Sequence, residues 1–267
     1  MLIIGEKING TRKEVGAAVV DRNAAFIQEL ARDQVEAGAG VLDMNAGTNP
    51  SREPDDLVWL VRTVQDAVDV QLCLDSANPA ALGSALAEVK QTPMINSISG
   101  EPPRLTGILP LVAQHGCSVI ALALDDKGIP KGVQERMAVV RRLFEETRKA
   151  GVTDDRVYVD PLVMALATDN QVCNVALDTM RAVRNEFPEA HLTAGLSNVS
   201  FGLPSRTLVN QAFLTLALAA GLDSAIVDPM DRGIREALFA SELVLGRDRH
   251  CRNYTRAIRA RRIGDAG

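Results

Sequence analysis

The residues best suited to chemistry stand at the ends of short apolar runs. Glu6 and Asn9 close the first run, Asp43 and Asn45 the second, Asp75 and Ser76 the third, and Asn96 and Ser97 the fourth. Further along, Asp160 closes another, Ser197 and Asn198 the next, and Asp228 the last. Taken singly, such a residue caps the helix that follows by accepting its first free N–H groups. Brought together at one mouth, they make a pocket rich in acceptors, with amides that both accept and donate.

A flat nitrogen heterocycle fits such a pocket. The 2-amino-4-oxo edge of a pterin places an NH2 beside a ring N–H, and one carboxylate accepts both in a charge-assisted pair. A second carboxylate and an amide serve the remaining nitrogens and the oxo group. Other chemistries lack their residues. The histidines are His115, His191 and His250; none closes a run and no HxH or HExxH spacing occurs, so no metal is expected. There is no GxSxG and no P-loop. Cys73, Cys117, Cys173 and Cys251 lie far apart without a CxxC, which reads as reduced thiols in the cytoplasm. Cys73 shares a strand face with Asp75 and is read as barrel filling.

The elements that must position these groups follow from periodicity. Eight strand candidates cover residues 2–8, 41–44, 70–74, 93–95, 119–124, 157–159, 192–196 and 225–227. A helical stretch follows each, over 23–37, 55–68, 79–89, 104–115, 133–150, 170–187, 204–220 and 233–246. Asn78 before Pro79 reads as a cap followed by the first helical position. Phe26, Ile27, Leu30 and Ala31 recur at helical spacing and should cover a sheet. Eight strand–helix units in a row predict an α/β chain folded as a (β/α)8 TIM barrel, with a doubly wound open sheet as the rival. The strand-to-helix links are rich in Gly, Pro and Asn and would share the rim that carries chemistry.

Composition narrows the class. The chain of 267 residues carries a net charge of −5 and only 3% aromatic residues, which argues against nucleic acid as a partner. The opening apolar run is too short for a signal peptide, and no stretch is long enough to span a membrane. One unit is expected over 1–267, with a core over about 2–246. The tail over 247–267 holds seven arginines between Arg247 and Arg262 and reads as a solvated last helix, or else a dock for an acidic partner.

A family resemblance rests on an ordered set of segments. These are Ile4-Gly5-Glu6-Lys7-Ile8-Asn9-Gly10, Leu42-Asp43-Met44-Asn45, Leu72-Cys73-Leu74-Asp75-Ser76, Met94-Ile95-Asn96-Ser97 and Tyr158-Val159-Asp160-Pro161-Leu162. The most specific is Gly195-Leu196-Ser197-Asn198-Val199-Ser200-Phe201-Gly202-Leu203-Pro204, continued by Asn210-Gln211-Ala212-Phe213-Leu214. With them the chain resembles the pterin-binding methyltransferases that act between methyltetrahydrofolate and a corrinoid protein, and the folate-binding module of cobalamin-dependent methionine synthase. The resemblance implies a homodimeric pterin-binding barrel in which Asp75, Asn96 and Asp160 hold the pterin ring. It implies that Asn198 contacts N5, the nitrogen bearing the methyl group, and is the catalytic residue. Glu6, Asn9, Ser197 and Arg206 also occupy matching positions at the folate.

The implied reaction moves a methyl group between N5 of tetrahydrofolate and corrinoid cobalt, in a direction the sequence does not choose. No Asp-x-His-x-x-Gly cobalamin signature is present, so the corrinoid (a cobalamin) is expected on a partner protein. Two alternatives share the pocket. A dihydropteroate synthase would want a basic Ser-Arg-Lys type segment where this chain has Leu196-Ser197-Asn198-Val199-Ser200. A non-catalytic folate-binding subunit would keep the ring anchors and gain nothing from Asn198.

Overall fold

The computed structural model describes residues 1–264 of the chain. Eight parallel strands alternate with helices: β1 (Leu2–Asn9), β2 (Val41–Asn45), β3 (Gln71–Asp75), β4 (Met94–Ser99), β5 (Ser118–Leu122), β6 (Val157–Asp160), β7 (His191–Leu192) and β8 (Ser224–Val227). Each strand from β2 to β6 pairs with both its sequence neighbours, β7 pairs with β6, and β1 pairs with both β2 and β8. The ring closes between β7 and β8 through a parallel bridge of Gly195 to Ile226. Ile226 N donates to Ala194 O at 2.9 Å, and Ser224 Oγ donates to Leu192 O at 3.0 Å. The barrel reading is therefore the right one, and the open-sheet rival is wrong.

Strand periodicity decides what the barrel encloses. Ile4, Val41, Cys73, Met94 and Ile120 form a small inner cluster, with Tyr158 and Ile226 packed against it. Two residues beyond six of these stand Glu6, Asp43, Asp75, Asn96, Asp160 and Asp228. A step of two keeps the same strand face. One face thus supplies an apolar floor and then a polar mouth, with Cys73 in the floor as its spacing predicts. The opposite strand faces, with Leu42, Leu74, Ile95, Val119 and Val159, join the larger core beneath the helices.

The helices are α1 (Lys13–Val20), α2 (Ala24–Glu36), α3 (Glu53–Gln65), α4 (Pro79–Leu86), α5 (Pro102–Gly107), α6 (Leu109–His115), α7 (Val133–Lys149), α8 (Val172–Glu186), α9 (Arg206–Ala219), α10 (Arg232–Val244) and α11 (Arg252–Arg259). Asn23 caps α2 by accepting from Phe26 N at 3.2 Å, and Asn78 caps α4 by accepting from Ala80 N at 3.1 Å. Among the described residues, no helix is long and apolar enough to cross a membrane.

Four features depart from the periodic reading. The short helix α1 has no counterpart in it, although Val15, Ala18 and Val19 give it a buried stripe. The stretch over 104–115 is two helices, because Pro110 cannot continue the ladder of α5. The seventh strand stops at Leu192, and the segment Leu196–Ser200 winds into a 3-10 turn instead. β1 carries a bulge: it advances from Gly5 to Ile8 while β2 advances only from Leu42 to Met44. The tail contains the helix α11, and residues 265–267 lie outside the described residues.

Candidate active site

The mouth is built by strand ends that reach across one another. Asp43 is buried, and its Oδ1 accepts from Asn96 Nδ2 at 3.2 Å. The Cys73 thiol also donates to it. Asp75 Oδ2 accepts from Asn45 Nδ2 at 3.0 Å. Burial, and then the charge of Asp75, push the Asp43 carboxyl up to about 8. Burial also raises Asp75, against the amide of Asn45. Near neutral pH this side of the mouth therefore holds a neutral carboxyl able to donate as well as accept.

Asp160 is buried at the end of β6. Its Oδ1 accepts from Leu162 N at 2.7 Å, and Gly195 N also donates to the carboxylate. Burial raises it to about 6, against these two donors and the charge of Arg136. Arg136 comes from α7 and is only 2% exposed. Its Nη1 donates to the carbonyls of Pro161 and Leu162, and its Nε to Pro130 O at 3.0 Å. The loop that holds Asp160 is thus pinned from behind by one guanidinium.

On the other side, Lys7 Nζ donates to Asp228 Oδ2 at 2.7 Å. Ser197 Oγ reaches Glu6 Oε2 at 3.5 Å. Burial, and then Asp228, raise Glu6 to about 7, while Arg12, Lys7 and Ser197 oppose the rise.

Asn198 is exposed at the rim, on the Leu196–Ser200 turn. Its amide lies over Gly195: a Cβ on that glycine would stand 2.9 Å from Asn198 Nδ2. Arg206 clasps the turn, with Nη2 donating to Ser197 O at 2.7 Å and Nε donating to Ser200 Oγ at 3.0 Å. Its guanidinium also lies over the Phe201 ring, 6.0 Å from the centroid. Asn9 is spent locally, because its Oδ1 accepts from Thr11 N at 3.0 Å and from Thr11 Oγ1 at 2.7 Å.

The structure thus links Glu6, Ser197 and Arg206 into one chain of contacts. It places Asp75, Asn96 and Asp160 on the mouth-facing strand ends and sets Asn9 into the first loop. Asp43, Asn45, Lys7 and Asp228 are part of the mouth although the sequence singled out no role for them. For Asp43, Asn45 and Asp228 the signal was present at the run ends but was indistinguishable from helix capping, and Lys7 carried none. Among the described residues, no three His, Cys, Asp or Glu side chains are grouped to hold a metal.

A barrel whose inward strand face ends in carboxylates and amides is the frame of a pterin-binding enzyme, and the chain belongs to that family: the pterin-binding enzyme model matches residues 6–228. Over 266 residues the chain is 40% identical to the methylcorrinoid:tetrahydrofolate methyltransferase of Eubacterium limosum, covering 99% of this chain and 98% of that protein. It is 29% identical over 250 residues to the methionine synthase of Mycobacterium tuberculosis, covering 87% of this chain and 21% of that protein. The chain therefore spans about a fifth of that synthase. In fold it is similar to a dihydropteroate synthase of Coxiella burnetii in complex with pteroic acid, at a TM-score of 0.67 and 18% identity, covering 91% of this chain and 93% of the other. The Yersinia pestis dihydropteroate synthase gives a TM-score of 0.69 at 19% identity, with 92% and 93% covered.

Proposed function

We propose that this protein is a methyltransferase that moves a methyl group between N5 of tetrahydrofolate and the cobalt of a corrinoid carried by a partner protein. The observation that carries the reading is 40% identity to a methylcorrinoid:tetrahydrofolate methyltransferase along essentially the full length of both chains. The mouth geometry supports it. Asp75, Asn96 and Asp160 hold the pterin edge, and Asp43, neutral near pH 7, donates toward the ring or accepts from it. Glu6, Ser197 and Arg206 line the N5 side, and Asn9 shapes the loop above them. The reading takes residues 2–246 as one pterin-binding unit.

In the direction that the Eubacterium limosum relative's name gives, the lone pair of N5 attacks the methyl carbon. The cobalt–carbon bond breaks, its electron pair stays on cobalt, and the N5 proton leaves. In reverse, an amide-like anion is a very poor leaving group, so N5 must carry a proton or a strong hydrogen bond by the transition state. The Asn198 amide serves both directions: its oxygen accepts from protonated N5, and its NH2 donates to the neutral amine. A carboxylate there would grip the cation in the ground state as well and help less. Glu6 and Asp160, raised to about 7 and about 6, exchange protons with N5 through water in the neutral range.

The homodimer belongs to the same reading; sedimentation velocity tests it, and a monomer at micromolar concentration overturns it. Four free cysteines support a reducing compartment, the cytoplasm.

The deciding experiment mixes the protein with methyltetrahydrofolate and Co(I) cobalamin and follows the visible spectrum of cobalt. Enzyme-dependent conversion to methylcobalamin is expected. Tight folate binding without transfer would leave a non-catalytic subunit, and condensation of a pterin diphosphate with 4-aminobenzoate would make the chain a dihydropteroate synthase. Either result overturns the proposal.

A further inference from the structure

The structure assigns a positioning role to Gln34, a buried amide of α2 on the outer side of the barrel: it props the bulge of β1 and so turns both Glu6 and Lys7 into the mouth. Along a regular strand two consecutive side chains point to opposite faces. Here Ile4 lies in the inner cluster and Ile8 in the outer core, an outcome that requires one extra residue between them. The bulge supplies it, since Gly5 pairs with Leu42 and Ile8 with Met44. Glu6 then reaches Ser197, and its neighbour Lys7 reaches Asp228, on the same side of the sheet.

A bulge leaves a backbone group without its ladder partner. Lys7 N is that group, and Gln34 Oε1 accepts from it at 3.0 Å across the helix–sheet interface. Gly5 is shaped to the same contact: a Cβ there would stand 2.5 Å from Gln34 Oε1. Gln34 is fully buried, and its Nε2 has no hydrogen-bond partner among the described residues. An unpaired buried amide N–H is destabilising, and an apolar side chain of similar size would avoid the cost. The oxygen alone explains why a glutamine interrupts the buried Ile27 and Ala31 face of α2. The groups that face Glu6 are Asp228, Arg12, Lys7 and Ser197, and Glu6 in turn acts on Asp43. If the prop is lost, Lys7 no longer screens Asp228, and the Glu6 carboxyl holds its proton to higher pH.

The test compares Gln34→Met, which keeps length but has no strong acceptor, with Gly5→Ala, which pushes the Gln34 oxygen away from the strand side. Ile27→Val, on the same helix, controls for general loosening. Carbon-13 NMR of labelled carboxyls, with the Glu6 signal assigned by Glu6→Gln, gives the Glu6 titration. Both variants are expected to raise its midpoint by about one unit, with Ile27→Val leaving it in place. The kinetic readout rests on the proposed methyl transfer: kcat should fall about tenfold while KM for methyltetrahydrofolate stays within about twofold, because the ring anchors sit on other strands. An unmoved Glu6 titration, or kinetics no different from Ile27→Val, overturns the role. If the unsubstituted protein transfers no methyl group, the methyltransferase reading falls, and the NMR titration still decides the role of Gln34.

Discussion

Asn96 and Asp43 lie on strands that are not neighbours, yet Asn96 Nδ2 donates to Asp43 Oδ1 at 3.2 Å across the end of β3. The bond spans the barrel's inner wall and ties a residue the sequence marked for the pterin to one it did not. Asp43 is thereby joined to one of the residues proposed to hold the ring, and its protonation state is felt at that residue.

Asp43 should make stability fall as pH rises. Its carboxyl is raised to about 8 in the folded chain against an ordinary value of 3.8. Between about pH 4 and 8 the folded chain holds a proton that the unfolded chain has released, so unfolding gains on folding as pH increases through that window. Glu6 and Asp160 act with the same sign over narrower windows. Asp43→Asn keeps an acceptor for Asn96 and removes the titration. It is expected to melt above the unsubstituted protein at pH 8.5 and to lose that advantage below pH 4, as thermal scans across pH would read.

Asn198→Ala should separate chemistry from binding. Loss of one preorganised hydrogen-bonding group at the reacting atom costs about a hundredfold in rate. Methyltetrahydrofolate affinity, set by the ring anchors, should change by less than about threefold. Single-turnover transfer to Co(I), beside calorimetric binding, measures both, and equal losses would remove Asn198 from N5.

Gly195→Ala approaches the same amide from below. The backbone of Gly195 has φ −70°, which alanine adopts freely, so the fold should hold. The new Cβ would stand 2.9 Å from Asn198 Nδ2 and must displace it. Transfer is expected to slow about tenfold with an unchanged melting temperature. A variant as fast as its parent would show that the amide tolerates displacement.

Arg136→Met should loosen the Asp160 loop. It strips three carbonyls, those of Pro130, Pro161 and Leu162, of a buried charged donor. The expected cost is about 2–4 kcal/mol of stability, read by urea unfolding, together with weaker folate binding. Stability within about 0.5 kcal/mol of the parent would contradict the role.

The barrel was legible in the sequence because its strands repeat one pattern. Cys73 and Asp75, Met94 and Asn96, or Tyr158 and Asp160 each show the change from floor to mouth within a single step of two. The seventh strand was overextended because Leu192 to Leu196 is apolar enough for a strand, and only the turn at Gly195 shows that it is not one. The ring-holding role of Asp75, Asn96 and Asp160 is what the family resemblance implies; as strand ends, these residues could be picked out. Gln34 and Arg136 could not, since they act from helices on the far side of the wall. Each interrupts an otherwise apolar helical stripe, Gln34 beside Ile27 and Ala31, and Arg136 beside Val140 and Phe144. That interruption is a visible signal, but the partner it serves is fixed only by packing.

The stave of the barrel that bears Asn198 is also the one least stitched to its neighbour, with a lone Gly195–Ile226 bridge closing the wall beside it. Parting the wall there breaks fewer backbone bonds than at any better-laced joint. A bulky macrocycle pressing on the rim would therefore find give beside Asn198, while the joint between the strands of Asp75 and Asn96 stays laced.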